Sequence, residues 1–289
     1  MDVELVCSRG ILYSCTHHSS DPKSSAVDTG HLTSNIKSGD SIYVCSETLP
    51  VFIRDTLPTL RVPFVLVSGD SDLTIEPSQY KPIIDSPLLL AWYAQNMVHP
   101  VPKCVQMPIG LDYHTVWANP SHRWLSPGEG HLPKDQEAVL RGIKTNGPAW
   151  SSPRLPKIYV NFGALDKYGD RRTAMSIIPE KLMTLHLKPV PRTLVWKFMA
   201  KHAFVLSPFG NGLDCHRTWE ALALGAIPII RGRHFASMFK GLPVLIVDAW
   251  ADVKESLLLA TLESFKARSW NLEKLSLSYW VDSIASHRS

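Results

Sequence analysis

The amino-acid sequence predicts an α/β protein made of two Rossmann-like β/α/β domains that face each other across a cleft. Three observations predict this fold class. Short runs rich in valine, isoleucine and aromatic residues alternate with helical segments, which is typical of parallel sheets. A stretch rich in proline, glycine and serine interrupts the alternation near the middle of the chain. With 289 residues, the chain is also longer than one small core usually needs.

The interruption predicts the domain boundaries. Residues 1–120 are expected to form the N-terminal domain and residues 156–268 the C-terminal domain. Residues 121–155 form the expected linker, with one short helix at KDQEAVLRGI. Residues 269–289 predict a final amphipathic helix that packs back toward the N-terminal domain.

The first half contains short buried segments bounded by glycine, serine or aspartate. The expected strands are ELVCS, SIYVCS, PFVLVSG and KCVQMPIGLD, with a helix at TLPVFIRDTLPTL. LLLAWYAQNM predicts a further helix, with Ser86 as its N-cap and Pro87 in its first turn.

The second half repeats this rhythm. The expected strands are KIYVNF, HAFVLSP, AIPIIRG and LPVLIVDAW. The expected helices are DRRTAMSIIPEKL, DCHRTWEALALG, VKESLLLATLESF and NLEKLSLSYWVDSI. Ligands of open parallel sheets bind beyond the carboxyl ends of the strands, so functional residues are expected in the loops that follow these strands.

Composition narrows the class of protein. Apolar residues make up 45% of the chain and charged residues 19%, which is ordinary for a water-soluble globular protein. A net charge of +4 without a dense basic block argues against a nucleic-acid partner, and no apolar run is long enough to span a bilayer. Five widely spaced cysteines favour neither a zinc ribbon nor a disulfide framework. Because no secretory signal is visible, the expected location is the cytoplasm, with an excised lumenal domain as the alternative.

The loop and helix that follow HAFVLSP carry the strongest functional pattern. Gly210 and Gly212 leave room for phosphates near backbone N–H groups, and Asp214 is the expected N-cap of the helix. The start of that helix would direct N–H groups and a positive dipole end at an anion. Arg217 can make a forked contact to phosphate, and Glu220 on the same face can accept bonds from ribose hydroxyls. The same pattern also fits an ordinary βαβ crossover with a charged helix start.

The segment Ser207 to Ile230, SPFGNGLDCHRTWEALALGAIPII, resembles the donor-site motif of exostosin-like glycosyltransferases. AQNMVHPVPKCVQMPIGLDYHT and KIYVNFGALDKYGDRRTA are similar to further segments of that family. The resemblance implies a GT-B fold and an inverting transfer from a UDP-sugar to a hydroxyl of a glycan acceptor. It makes residues 156–268 the donor-binding domain and residues 1–120 the acceptor side. It requires no cofactor besides the UDP-sugar substrate, for which UDP-xylose is favoured.

The expected donor-binding residues lie in two loops and at the start of one helix. They are Asn161, Arg172, Ser207, Gly210, Asn211, Gly212, His216, Arg217 and Glu220. Arg171 and Arg172 stand together at a predicted helix start, where an arginine could balance the charge of the diphosphate leaving group. The resemblance favours Arg172. The alternative is that both arginines are solvated on an exposed helix.

Asp70 and Asp72 follow the expected strand PFVLV and are the candidate catalytic residues. An inverting transferase needs a base for the proton of the acceptor hydroxyl, and a carboxylate at the end of a strand suits this role. The D-x-D pattern also fits a metal-dependent transferase that holds Mn²⁺ and the diphosphate. The structural explanation of the same pattern is a simple turn, in which the aspartate side chains form hydrogen bonds with their own backbone. A non-catalytic nucleotide-sugar or glycan-binding protein is the remaining alternative.

Several other residues have both a functional and a structural explanation. Trp92, Tyr93 and Trp250 could stack on a sugar, although such residues more often lie in a core. His17 and His18 are expected in an exposed polar loop.

Overall fold

The computed structural model describes residues 1–19, 35–143, 145, 147–163 and 166–288. It confirms an α/β protein with two sheets, one of four strands and one of five, in which all the described strand pairs are parallel. The chain divides into two compact units. The N-terminal unit comprises Val6–Ile109, Gly212–Asp214 and Ser276–Ser289, and the C-terminal unit comprises Met1–Leu5, Gly110–Asn211 and Cys215–Leu275. The predicted domain boundaries at 1–120, 121–155, 156–268 and 269–289 stay predictions.

The N-terminal unit is built on the four-stranded sheet, in which the strands follow their order along the chain. These strands are β1 (Asp40–Cys45), β2 (Phe64–Gly69), β3 (Leu89–Ala94) and β4 (Cys104–Gln106). Its helices are α1 (Ser8–Ser14), α2 (Leu49–Val51), α3 (Lys81–Ile84) and α11 (Leu277–Ala285), and α2 lies within a longer helical segment over residues 46–59. The core on one face of the sheet includes Phe52, Phe64, Leu66 and Trp92.

The C-terminal unit is built on the five-stranded sheet, in the order β6-β5-β7-β8-β9. These strands are β5 (Leu155–Val160), β6 (Met183–Leu185), β7 (His202–Leu206), β8 (Ile227–Arg231) and β9 (Leu245–Val247). Its helices are α4 (His114–Ala118), α5 (Pro133–Gly142), α6 (Asp170–Ile177), α7 (Arg192–Lys201), α8 (His216–Ala223), α9 (Ala236–Phe239) and α10 (Glu255–Lys266). Ile158, Phe204 and Ile229 form part of its core.

Most of the elements predicted from hydrophobic periodicity are confirmed. β1, β2, β4, β5, β7, β8 and β9 all overlap segments that predicted strands, and α5, α6, α8, α10 and α11 overlap segments that predicted helices. Gly225 ends α8 as expected, because its φ of +69° is the left-handed conformation that a helix C-terminus requires. The helix expected over TLPVFIRDTLPTL is also present, although its turns tighten and widen along residues 46–59.

The helix expected over LLLAWYAQNM is wrong, because this segment forms strand β3. Trp92 and Tyr93 are both buried, so the two faces of the strand are both covered. A continuous apolar run of this length fits a buried strand as well as a helix. The pairing of β3 with β2 and β4 decides the outcome, and it overrides the helix propensity of leucine and alanine.

The strand expected over ELVCS is also wrong, because this segment forms no strand and helix α1 begins at its last residue, Ser8. Cys7 is the N-cap of α1, and its Sγ accepts a hydrogen bond from the Gly10 N–H at 3.3 Å. Helix α7 is an element that the sequence analysis missed. Its apolar residues Trp196, Met199 and Ala200 are buried at helical spacing, which is the signal that could have predicted it.

The last helix packs within the N-terminal unit. A Cβ placed on Gly10 of α1 would lie 2.7 Å from Leu277 Cδ2 of α11, so the two helices approach closely at this glycine. Tyr93 of β3 donates from its hydroxyl to the Ser283 carbonyl oxygen at 3.0 Å. Among the described residues, no helix is long and apolar enough to cross a membrane.

Candidate functional site

The loop after β7 (residues 207–215, here the β7 loop) is held in place by a buried aspartate. Asp170 begins α6, and its carboxylate accepts hydrogen bonds from the Phe209 N–H at 3.0 Å and from the Trp250 Nε1 at 2.8 Å. Arg231 Nε donates to the same carboxylate at 2.8 Å. Because donors from three separate segments converge on one carboxylate, the start of the loop is fixed. Trp250 is therefore a core residue, and so is the buried Trp92, as expected.

Two arginines lie against one phenylalanine ring at the carboxyl end of β5. The Phe162 ring centroid lies 4.8 Å from Arg217 Cζ and 5.7 Å from Arg171 Cζ, which is the range of cation–π contacts. A Cβ placed on Gly210 would lie 2.9 Å from Arg171 Nη2, so a side chain there would displace the guanidinium group. Two cations are thus gathered at the Phe162 ring, and one of them, Arg171, lies beside Gly210.

Arg217 occupies an environment that is unfavourable for a charged side chain. Its Nη1 atom is buried and, within the described part of the chain, has no hydrogen-bond partner. Burial lowers the pKa of Arg217, and the like charge of Arg171 lowers it further, although Cys215 opposes this change. A buried guanidinium needs acceptors for its N–H groups, and an anionic ligand would supply them.

The backbone beside these arginines also favours an anion. Helix α8 begins at His216, and its N-cap residue Cys215 forms no side-chain capping hydrogen bond. The N–H groups of Gly210 and Asn211 donate no hydrogen bond to any of the described residues. A helix N-terminus carries a partial positive charge and free N–H groups, so the backbone and the two guanidinium groups act in the same direction.

A second side of α8 faces a buried polar cluster around Asp112. Arg192 donates from Nη1 to the Asp112 carbonyl oxygen, and its Nη2 lies 3.6 Å from Asp112 Oδ2. His114 Nδ1 lies 3.2 Å from Oδ1 of the same carboxylate, and His216 Nδ1 lies 2.7 Å from the Gly110 carbonyl oxygen. Burial by itself would raise the pKa of Asp112, but His216, His114 and Arg192 hold it well below its usual value.

Glu220 is oriented toward this cluster. Burial raises the pKa of Glu220, whereas Arg192, Trp196 and His216 oppose that rise. A carboxyl group in this setting can accept hydrogen bonds from a ligand's hydroxyls, and it holds its proton to a higher pH than an exposed glutamate does. The side chain therefore suits the ribose contact that the sequence suggested for it.

The other predicted donor residues near this edge differ in exposure. Ser207 is buried, and its Oγ lies 2.9 Å from Thr218 Oγ1 of α8. Asn161 donates from Nδ2 to the His186 carbonyl oxygen at 2.6 Å. Arg172 is exposed on α6, and Asn211 is exposed in the β7 loop. Contact with a donor stays a prediction for all four of these residues.

Arg171, and not Arg172, lies beside the β7 loop, because the helical phase decides which arginine faces the loop. The Asp166 carboxylate accepts hydrogen bonds from the N–H groups of Asp170 and Arg171 at 3.0 and 3.1 Å, and this sets the start of α6. Neighbouring helical positions point about 100° apart. The phase therefore directs Arg171 to Gly210 and leaves Arg172 exposed.

The tripeptide Gly212–Asp214 of the β7 loop belongs to the N-terminal unit. The Asp214 N–H donates to Asn96 Oδ1 at 2.9 Å, and Asp214 Oδ2 accepts from the Ile109 N–H at 2.8 Å. Asp214 is therefore not the N-cap of α8, as the sequence had suggested, because its carboxylate is bonded to Ile109. A Cβ placed on Gly212 would lie 3.0 Å from Asn96 Nδ2 and 3.1 Å from Asp72 Oδ1, so close packing explains this glycine.

Asp70 and Asp72 lie in different surroundings. Asp70 has a φ of +56°, an uncommon value for a residue with a side chain, and its carboxylate Oδ2 lies 3.2 Å from Arg9 Nη2. Its N–H donates to Gln95 Oε1 at 2.8 Å. Asp72 is exposed and lies beside Gly212. Within the described residues, no group of three or more His, Cys, Asp or Glu side chains is arranged to hold a metal ion.

Comparison with known proteins adds no family to these observations. No protein-family model matches the chain, and no curated protein matches it. The protein is therefore classified by its fold and by the residues at the edge of its sheet. The chain is an α/β protein with two parallel sheets, and two arginines lie together at the carboxyl edge of the five-stranded sheet.

Proposed function

We propose that this chain is an inverting glycosyltransferase of GT-B type that takes a UDP-sugar as its donor. One observation carries the proposal: the buried Arg217 Nη1 has no hydrogen-bond partner among the described residues, and Arg217 shares the Phe162 ring with a second cation, Arg171. A diphosphate would supply the missing acceptors and the negative charge. The resemblance of this segment to the donor motif of exostosin-like enzymes supports a nucleotide sugar over a simple phosphate.

Each element of the site has a role in the proposed reaction. Arg171 and Arg217 bind the diphosphate, with the N–H groups at the start of α8. The Glu220 carboxyl group accepts hydrogen bonds from the ribose hydroxyls. In the N-terminal unit, Asp70 or Asp72 is the proposed base.

The reaction is a single displacement. The acceptor hydroxyl oxygen attacks the anomeric carbon, and the new glycosidic bond forms as the bond to the β-phosphate oxygen breaks. UDP leaves with the electron pair of that bond, and the hydroxyl proton passes to the carboxylate base. The two guanidinium groups stabilise the charge that grows on the leaving diphosphate.

A base fits the pair of aspartates better than a shared metal does. Asp70 is paired with Arg9, whereas Asp72 lies beside Gly212. A cation held by both carboxylates would have to compete with the Arg9 guanidinium for Asp70. Activity that is lost in EDTA and restored by Mn²⁺ would instead favour the metal-dependent transferase.

The decisive experiment is thermal unfolding with UDP, uridine and pyrophosphate, followed by turnover assays that begin with UDP-xylose. At a hundredfold excess over its Kd, UDP is expected to stabilise the protein by about 2.7 kcal/mol. Arg171→Met is expected to weaken UDP binding by tenfold or more. Arg172→Met, one position away on the same helix, is the matched control and is expected to leave UDP binding unchanged.

The outcomes separate the parts of the proposal. If UDP does not shift the unfolding curve, the nucleotide site is wrong. If Arg172→Met weakens UDP binding and Arg171→Met does not, the two arginines have exchanged roles. Tight UDP binding without turnover of any UDP-sugar would contradict the enzyme and favour a non-catalytic nucleotide-sugar-binding protein.

A further inference from the structure

A second polar cluster lies at the carboxyl edge of the four-stranded sheet. Strands β1 and β2 are neighbours there, and Cys45 pairs in register with Gly69. Tyr43 lies two residues before the end of β1, on the same face as Cys45, because side chains alternate along a strand. A Cβ placed on Gly69 would lie 2.8 Å from the Tyr43 hydroxyl, so this hydroxyl sits directly beside the turn into Asp70.

The Tyr43 hydroxyl is buried, and the described part of the chain offers it no hydrogen-bond partner. The residue is 3% exposed, and its Oη has no hydrogen-bond partner among the described residues. Burial raises the pKa of Tyr43 well above its usual value, and Asp70 raises it further, so the phenol is a neutral donor. A buried hydroxyl that makes no hydrogen bond is costly, and such groups are rare in folded proteins unless something binds them.

The Arg9–Asp70 ion pair acts electrostatically on this hydroxyl. The side chains of Arg9 and Asp70 are 18% and 11% exposed. Asp70 holds its left-handed backbone conformation beside the hydrogen bond from its N–H to Gln95, although such a conformation is uncommon in a residue with a side chain. Strained residues of this kind concentrate at ligand sites.

Two serine hydroxyls adjoin the same cluster in sequence. Ser8 precedes Arg9 and Ser46 follows Cys45, and both residues are buried. Neither hydroxyl has a hydrogen-bond partner within the described part of the chain. The Tyr43 hydroxyl and the balanced ion pair offer donors and acceptors without net charge.

We propose that the cluster of Arg9, Tyr43 and Asp70 binds the hydroxyl groups of a saccharide. A carboxylate accepts hydrogen bonds from neighbouring sugar hydroxyls, a guanidinium donates to them, and a phenol does both. The balanced charges of Arg9 and Asp70 favour a neutral polyol over a phosphate. That this saccharide is the glycosyl acceptor rests on the function proposed above, whereas saccharide binding itself does not.

The first test compares two tyrosines that differ in their partners. Tyr43→Phe removes a hydroxyl that has no hydrogen-bond partner among the residues the structure describes, so the melting temperature is expected to stay the same or rise. Tyr93→Phe removes a hydroxyl that is bonded to the Ser283 carbonyl oxygen and Oγ, at 3.0 and 2.9 Å, so its melting temperature is expected to fall. If Tyr43→Phe destabilises the protein as much as Tyr93→Phe does, the hydroxyl has an internal partner and the proposal is wrong.

The second test measures binding of methyl β-xyloside, methyl β-galactoside and methyl α-mannoside by saturation-transfer NMR on the full chain. At least one glycoside is expected to bind the wild-type protein, about fivefold more weakly after Tyr43→Phe and with full affinity after Tyr93→Phe. If no glycoside binds, or if binding is the same after Tyr43→Phe, the proposal is overturned and a trapped water explains the hydroxyl. UDP binding is measured in the same samples. Its loss would contradict the donor site and leave this result unaffected.

Discussion

The two sheets both end in an edge that carries an arginine, but the two arginines have opposite surroundings. In the C-terminal unit, Arg217 is buried beside Arg171, and its Nη1 has no hydrogen-bond partner among the described residues. In the N-terminal unit, Arg9 is paired with Asp70, and the atom without a described partner is the neutral Tyr43 hydroxyl.

This difference indicates which ligand each edge can hold. An edge with excess positive charge gains most from an anion, because the ligand offsets the cost of burying that charge. An edge with a balanced ion pair gains little from an anion and suits hydroxyl groups. The same residue type therefore points to a diphosphate at one sheet and to a saccharide at the other.

The largest expected effect comes from breaking the buried ion pair between Arg192 and Asp112, which shows how much a paired arginine contributes to stability. Asp112→Asn should cost about 3–5 kcal/mol of the free energy of unfolding, because the buried Arg192 loses its countercharge. The pKa of Asp112 is lowered in the folded protein, so its stabilisation is present above the unfolded pKa, near the ordinary value of 3.8, and is lost as the pH falls. Urea titrations at pH 7 measure the first effect, and their comparison with titrations at about pH 2.5 measures the second.

The control for this variant is Asp248→Asn. Asp248 pairs with Arg233 on the surface, where the two side chains are 71% and 70% exposed, so its loss should cost far less than the loss of Asp112. If the two variants lose the same free energy of unfolding, Asp112 and Arg192 do not form a buried ion pair.

Arg217→Met tests the charged edge directly and should have an intermediate effect. It removes a buried charge, so the free energy of unfolding without ligand should stay the same or rise by up to about 2 kcal/mol. Stabilisation by UDP should be lost in the same variant. The measurement is thermal unfolding with and without UDP. A large loss of stability without ligand would mean that Arg217 holds the fold together and is not kept for an anion.

Glu220→Gln is expected to have the smallest effect, and it separates ribose from diphosphate recognition. The folded pKa of Glu220 is raised, so the native state keeps a proton that the unfolded state loses as the pH rises above about 4.5. Stability should therefore decline with rising pH over the window above that value, and Glu220→Gln should remove the decline. Unfolding measured from pH 4 to pH 8 tests this.

The same variant should weaken UDP binding by about twofold to tenfold and leave pyrophosphate binding unchanged. Pyrophosphate lacks the ribose and thus serves as the control ligand. If both ligands lose affinity equally, Glu220 acts on the diphosphate and not on the ribose.

Much of the fold follows from local patterns. Some patterns predict their element because each fits one backbone geometry. Examples are the short apolar runs FVLV in β2 and AFVL in β7, and the glycine that follows α8. The pattern fails where it is ambiguous. The apolar run of β3 fits a helix as well as a strand, and its two sheet neighbours decide between them.

The sequence by itself determined the class of fold and the segment that bears the candidate anion site, because both depend on residues that are close together in the chain. The tertiary structure decided which atoms meet. It brought Arg171 to Gly210, turned Asp214 to Ile109, and gave Asp70 the Arg9 countercharge. These contacts depend on helical phase and on packing between distant segments. Spacing along the chain does not encode either of them, and so the partners of each charge appear only once the sheets and helices are assembled.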